Sequence, residues 1–151
     1  MSHVTSSLAV ITDLDVLKRA LTKFPKLKWH EGKKTYAWYN RFQDDWGKQN
    51  EHKTARARGI DPSQYGKCES AISLPGCAYE IGVTKREDGQ GWSLVWDVWR
   101  GQAISEYIGE DAQLLMCEYS RLYCEQYALS AGYISNTTED EEYFRVEMNR
   151  V

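Results

Sequence analysis

Two stretches of this chain alternate apolar and polar side chains with a period of two, and only a short loop separates them. Cys77, Tyr79, Ile81 and Val83 alternate with Ala78, Glu80 and Gly82. Trp92, Leu94, Trp96 and Val98 alternate with Ser93, Val95, Asp97 and Trp99. A period of two is that of a pleated strand with one face on a core. Residues 85–91 between them are rich in charge and glycine, as a hairpin connection is. Trp92 and Trp96 then fill the core from a central strand. Trp99 falls on the other face, beside Arg100 and Gly101, where the chain leaves the strand.

The other elements follow from spacing. Residues 2–11 read as a strand, with Val4, Leu8 and Val10 on one side and His3, Thr5 and Ser7 on the other. Thr12 offers an N-cap with Asp15 three residues on. Leu14, Leu17, Leu21 and Phe24 follow at helical spacing, and Pro25 ends that helix. Residues 26–39 read as an extended pair turned at Glu31-Gly32-Lys33, or as one broken strand. Residues 69–83 carry a kink or turn at Pro75-Gly76. A short helical piece at 104–108 is interrupted by Gly109. A long helix over 110–131 follows, with Leu115, Leu122 and Leu129 repeating at seven and Met116 and Tyr119 beside them. Arg121 and Glu125 can pair across one turn of it. A last strand over 143–148 turns Phe144, Val146 and Met148 inward and Arg145 and Glu147 outward.

These elements make one α+β domain spanning residues 1–151. The expected architecture is a two-layer sandwich, ferredoxin-like or similar. It has a mostly antiparallel sheet of four to six strands, with two main helices on one face and the other face open. Residues 40–67 interrupt the pattern. They are polar, mixed in charge and long for an internal loop, with a basic bias from Lys48, Lys53, Arg56 and Arg58.

Composition excludes several classes of function. The net charge of −3 gives no general attraction to nucleic acid. No apolar run approaches the roughly 18 residues of a membrane span, and MSHVTSSLAV lacks the features of a signal peptide, so a cytoplasmic location is expected. Cys68, Cys77, Cys117 and Cys124 show no CxxC spacing, and only His3, His30 and His52 could join them, so free thiols are expected rather than zinc. No nucleophile elbow, P-loop, dinucleotide fingerprint or HExxH helix is present, and no catalytic residue, metal or cofactor is assigned.

Strand parity gathers a polar set on the expected open face: His3, Thr5, Ser7, Glu80, Ser93, Asp97, Trp99 and Arg145. Asp97 and Arg145 could pair across strands there. The exit Trp99-Arg100-Gly101-Gln102 leads into a helix start, where an indole, a guanidinium and free N–H groups could hold a ring and an anion.

The opening Met1-Ser2-His3, the block KCESAISLPGCAYEIGV (67–83) and the block WSLVWDVWRG (92–101) resemble domain of unknown function 1257. That family includes a conserved cyanobacterial and plastid open-reading-frame product and tailed-phage proteins. His3, Cys68, Pro75, Gly76, Tyr79, Glu80, Trp96 and Asp97 fall on the family-like blocks. The resemblance implies a small α+β domain and no particular activity. Phage members often carry His where Ser70 stands, which counts against a metal or acid–base role at that position. The insertion and the central block look more like phage members than plastid ones.

The expected function is non-enzymatic binding of a small anionic, nucleotide-like ligand, with sequestration of a host immune signalling nucleotide as its use by a phage. The expected ligand residues are Trp99, Arg100, His3, Glu80, Asp97, Arg145 and Tyr79. A second reading is a protein-interaction module. It would dock a host protein or a second copy through the open sheet face or the excursion, with Trp38, Tyr39 and Trp46 as anchors. A metal-dependent phosphodiesterase built on His3, Glu80 and Asp97 is the third.

Overall fold

The central hairpin forms as the alternation predicts, and the rest of the sheet is added on either side of it. The computed structural model describes residues 4–7, 10–38, 64–98, 102–139 and 144–150. Its strands are β1 (Val4–Ser6), β2 (Lys28–His30), β3 (Ser70–Ser73), β4 (Glu80–Lys85), β5 (Trp92–Asp97), β6 (Tyr133–Glu139) and β7 (Phe144–Arg150). The helices are α1 (Leu14–Ala20), α2 (Gln102–Ile108) and α3 (Gln113–Ser130). An antiparallel sheet runs in the order β1-β5-β4-β3-β2, and β6 and β7 form a separate antiparallel pair. The architecture is α+β.

One face of the five-stranded sheet carries the main core. Ile72, Ile81, Val83, Leu94 and Trp96 meet Val16, Leu17 and Ala20 of α1, Ile104 and Ile108 of α2, and Leu115, Met116 and Tyr119 of α3. Trp96 is fully buried and its indole N–H donates to Ser105 Oγ at 3.1 Å. The Tyr119 hydroxyl accepts the N–H groups of Thr12 (3.0 Å) and Asp13 (3.1 Å), which locks α3 to the start of α1. The cap of α1 is Asp13 rather than Thr12: its carboxylate accepts from the N–H groups of Asp15 and Val16. On α3, Leu115 is buried and Leu122 packs at the core margin, but Leu129 is 79% exposed, and the neighbouring Ala128 is the fully buried residue of that turn. Arg121 pairs with Glu125 (2.9 Å) as expected and also with Glu118.

Three features of the sheets also differ from the expectation. First, β1 shows the opposite face. Val4 pairs with Asp97 and Ser6 with Val95, while Thr5 pairs with Trp96. Cross-strand partners share a face, so Thr5 points to the helices, where its hydroxyl donates to Asp111 (2.9 Å). Val4 belongs to the other side. Second, the chain forms β6, which polar Tyr-Ile-Ser-Asn-Thr-Thr-Glu does not announce. The last strand, β7, pairs with β6 beside α3 and not with the main sheet. Arg145 is exposed there and shares no sheet with Glu80 or Asp97, so the cross-strand pair with Asp97 does not exist.

Third, the second face of the sheet is not open. Thr35 and Lys67 form an antiparallel bridge, Tyr36 N–H donates to the Gly66 carbonyl (3.1 Å), and Cys68 N–H donates to that of Lys34 (2.9 Å). This narrow ribbon lies across the face and buries a second core of Val4, Tyr36, Tyr65, Cys68, Ala71 and Val95. Gly82 makes it possible. A Cβ at that position would stand 2.3 Å from the Tyr36 ring, so only glycine lets the ring settle on β4.

Candidate functional site

The ribbon enters the sheet where β4 and β5 separate. Their register runs from Lys85–Trp92 to Gly82–Val95 and stops. Beyond it, Glu80 N–H donates to the Ala37 carbonyl at 2.9 Å, and Ala37 N–H donates back to Glu80 Oε1 at 2.9 Å. Residues 36–38 therefore take the place beside Glu80 that β5 would have held. Beside this entry lies a cleft of about 580 Å³, and Lys33, Tyr36, Trp38, Tyr65, Lys67 and Glu80 line it.

Each wall has a local cause. Gly66, at φ +86°, brings the ribbon so close to Trp38 that a Cβ would stand 2.2 Å from the indole nitrogen. Tyr65 meets the same indole edge-on, with centroids 5.9 Å apart and planes at 81°. That geometry suits the aromatic quadrupoles and fixes both rings. Lys33 Nζ lies 2.7 Å from both oxygens of Glu80. Partial burial pushes the Glu80 carboxyl up. The hydrogen bonds from Lys33 and Ala37 N–H, with the Lys33 charge, together outweigh burial and hold it below its ordinary value. It is a carboxylate at neutral pH. Lys67 is exposed and has no salt-bridge partner among the described residues.

The second core behind the cleft holds groups of low reactivity. Burial pushes the Cys68 thiol up to about 11, with the neighbouring Glu80 charge in the same direction. Its sulfur lies 3.1 Å from the Lys33 carbonyl and donates to it. A thiol in that state is a poor nucleophile. Burial raises the Tyr36 phenol far above its ordinary value.

The expected site residues do not converge. Glu80 is on the cleft. Asp97 lies on the same face, but it is wholly buried under the ribbon. Tyr79 is buried just before β4. Arg145 is on the β6–β7 pair. His3, Trp99 and Arg100 lie outside the described residues, as do Tyr39, Trp46 and most of the 40–67 excursion. Ser93, placed by parity on an open face, is buried and accepts from Arg86 Nη1 at 3.0 Å; its cross-strand partner Thr84 is buried too and donates to the Lys67 carbonyl. Lys33, Tyr65 and Lys67 had no part in the expectation. Tyr36, which faces the strand glycine at 82, and Trp38 two residues on, which faces Gly66, are the sequence signal that points to them.

Among the described residues, no group of three or more His, Cys, Asp or Glu lies together to hold a metal, and no helix is long and apolar enough to cross a membrane. None of the four cysteines forms a disulfide. Compared with family models, curated proteins and solved structures, the chain matches none, so the likeness to domain of unknown function 1257 rests on the quoted blocks alone.

Proposed function

We propose that the protein binds a small planar anion of nucleotide-like chemistry without transforming it, and that the cleft at the foot of the ribbon is the site. The observation that carries this reading is one cavity that combines an indole held edge-on to Tyr65, an ammonium with no salt-bridge partner among the described residues and an ionised acceptor. Trp38 supplies a ring edge and plane for stacking, which contributes about 1–3 kcal/mol per base in comparable sites. Lys67 supplies a charge-assisted contact of roughly 1.5–3 kcal/mol for a phosphate or carboxylate. Glu80 supplies acceptor lone pairs for ring N–H groups, with its orientation set by Ala37 and Lys33. The charges of Lys33, Lys67 and Glu80 leave one net positive charge, which suits a ligand of low negative charge better than a polyphosphate. Sequestration of a signalling nucleotide fits such a binder, since holding the ligand is the whole task.

Thermal melting with a panel of nucleoside monophosphates and cyclic nucleotides tests the reading. A ligand at a hundredfold excess over Kd stabilises by about 2.7 kcal/mol, which is roughly 5–10 °C for a chain of this size. Trp38→Ala and Lys67→Ala should each abolish most of the rise. If no member of the panel moves the parent Tm, or if the rise persists in both variants, the cleft is not the ligand site.

A further inference from the structure

A second feature, the far edge of the sheet, lies in a stretch of sequence rich in basic residues. Between residues 18 and 34 stand Lys18, Arg19, Lys23, Lys26, Lys28, Lys33 and Lys34 against one carboxylate, Glu31. Not all of these reach the edge: Arg19 donates to Gln126 and Lys23 pairs with Glu118 on α3, Lys26 stands over Tyr107 of α2, and Lys33 pairs with Glu80. Lys18, Lys28 and Lys34 remain to charge the edge of a chain that carries −3 overall. That edge is β2, the terminal strand of the five-stranded sheet, paired on one side only among the described residues.

The two faces of this edge differ. On the helix side, a groove of about 420 Å³ runs beside β2, floored by Leu21, Pro25, Leu27 and Trp29. Lys18 Nζ stands 5.1 Å from the centre of the Trp29 ring and pairs with Glu31 at 2.9 Å. On the other side, pairing of Lys28 with Ser73 and of His30 with Ala71 puts both residues on the ribbon face. Lys28 and Lys34 are exposed and have no salt-bridge partner among the described residues. A strand added to β2 would present alternate side chains to these two surfaces. One set would enter the apolar groove and the other would meet Lys28 and Lys34.

We infer that the β2 edge takes an extended peptide segment whose side chains alternate apolar and acidic. Lysines on an edge strand keep it from pairing with copies of itself. The same lysines leave it open to a strand of opposite charge. A single-stranded nucleic acid fits less well. The Trp29 ring already carries the Lys18 ammonium, and its indole N–H is taken by Glu31, so no free ring face is offered for a base. The free strand edge offers amide and carbonyl groups, which another strand uses.

The test is fluorescence anisotropy with a labelled peptide of about nine residues alternating Glu and Val. Three probes accompany it: a peptide of the same composition with Glu and Val in separate blocks, an alternating Lys–Val peptide, and a single-stranded oligonucleotide. The alternating Glu–Val peptide should bind the parent. Lys28→Glu with Lys34→Glu should weaken it at least tenfold, roughly one charge-assisted contact or more, and should gain binding of the Lys–Val peptide. Both positions are exposed, and the gained binding reports a folded variant. Lys33, which lines the cleft, is untouched, so the outcome reads the edge alone. Amide exchange at residues 28–30 should slow when the Glu–Val peptide is added. Absence of binding at roughly millimolar peptide overturns the proposal. So does equal binding of the block peptide or the oligonucleotide, or unchanged binding by the double variant. If the free parent sediments as a dimer with residues 28–30 already protected, a second copy holds the edge and the proposal also fails.

Discussion

Gly82→Ala tests the covered second face directly. Gly82 lies inside β4, where alanine is normally the better residue by about 0.5–1 kcal/mol because glycine loses more chain entropy on folding. Here the sign should reverse. The added Cβ would stand 2.3, 2.5 and 3.0 Å from three atoms of the Tyr36 ring, and that ring is only 4% exposed between the ribbon and the sheet. The ring must shift or leave, so overpacking should cost about 1–3 kcal/mol. Tyr36→Ala alone removes a buried ring and should cost about 3–5 kcal/mol. In that background Gly82→Ala meets empty space, and its ordinary strand advantage returns. The alanine should then be neutral or stabilising, and the two backgrounds should differ by about 2–3 kcal/mol. Urea unfolding of the parent, both single variants and the double variant gives the four free energies. If Gly82→Ala destabilises equally with and without Tyr36, the ring is not seated on Gly82, and the sheet face is open after all.

Three further outcomes follow from the packing on the other side. Tyr119→Phe leaves the Thr12 and Asp13 N–H groups without their shared acceptor and should cost about 1–3 kcal/mol in urea unfolding; an unchanged midpoint would mean that water replaces the hydroxyl. Trp96→Ala empties a fully buried site and should cost about 3–5 kcal/mol, whereas Trp96→Phe keeps most of the volume and should lose far less. The hydrogen bond from Arg121, opposed by burial and helped by Lys23, holds the Glu118 carboxyl below its ordinary value of 4.5. Because the folded value is the lower one, this stabilisation is complete above the unfolded value and is lost as pH falls through the folded value. Glu118→Gln should flatten that part of the acid slope and leave the slope above about pH 6 unchanged; parallel curves for the two proteins would remove the assignment.

The sequence was most legible where one face is apolar and the other polar. The β4–β5 hairpin, the core role of Trp96, and the placement of Glu80, Ser93 and Asp97 on one common face all came from a period of two. That periodicity says nothing about what covers the polar face. Tyr36, Tyr65 and Cys68 cover it from loops with no regular spacing. The same omission reversed β1. With one buried face assumed, apolar Val4 had to turn toward the helices, but the second core buries Val4 equally well. Ser7 then accepts the Leu94 N–H and donates its own to the Leu94 carbonyl, while Ile11 rejoins the edge at Trp92. Four steps of chain from Ser7 to Ile11 stand against two from Leu94 to Trp92, so the uninterrupted pairing expected of a strand over 2–11 does not hold. Strand β6 was hidden for a different reason. In the hairpin it forms, Ile134 faces outward and Ser135 and Thr137 face α3, an alternation too weakly apolar to register.

The same glycine explains why the two carboxylates expected to share a site end in different surroundings. Glu80 and Asp97 lie on one face of adjacent strands, where parity alone would set them to work on one ligand. The Tyr36 ring over Gly82 draws the ribbon down onto that face, and Ala37 takes up the Glu80 N–H at the point where β5 departs. Asp97 is left beneath the second core and Glu80 is left at its margin, beside Lys33 and the open cleft. Only one of the pair can meet a small molecule from solvent. A residue without a side chain thus selects which carboxylate is available, and it does so by admitting an aromatic ring that any other residue would exclude.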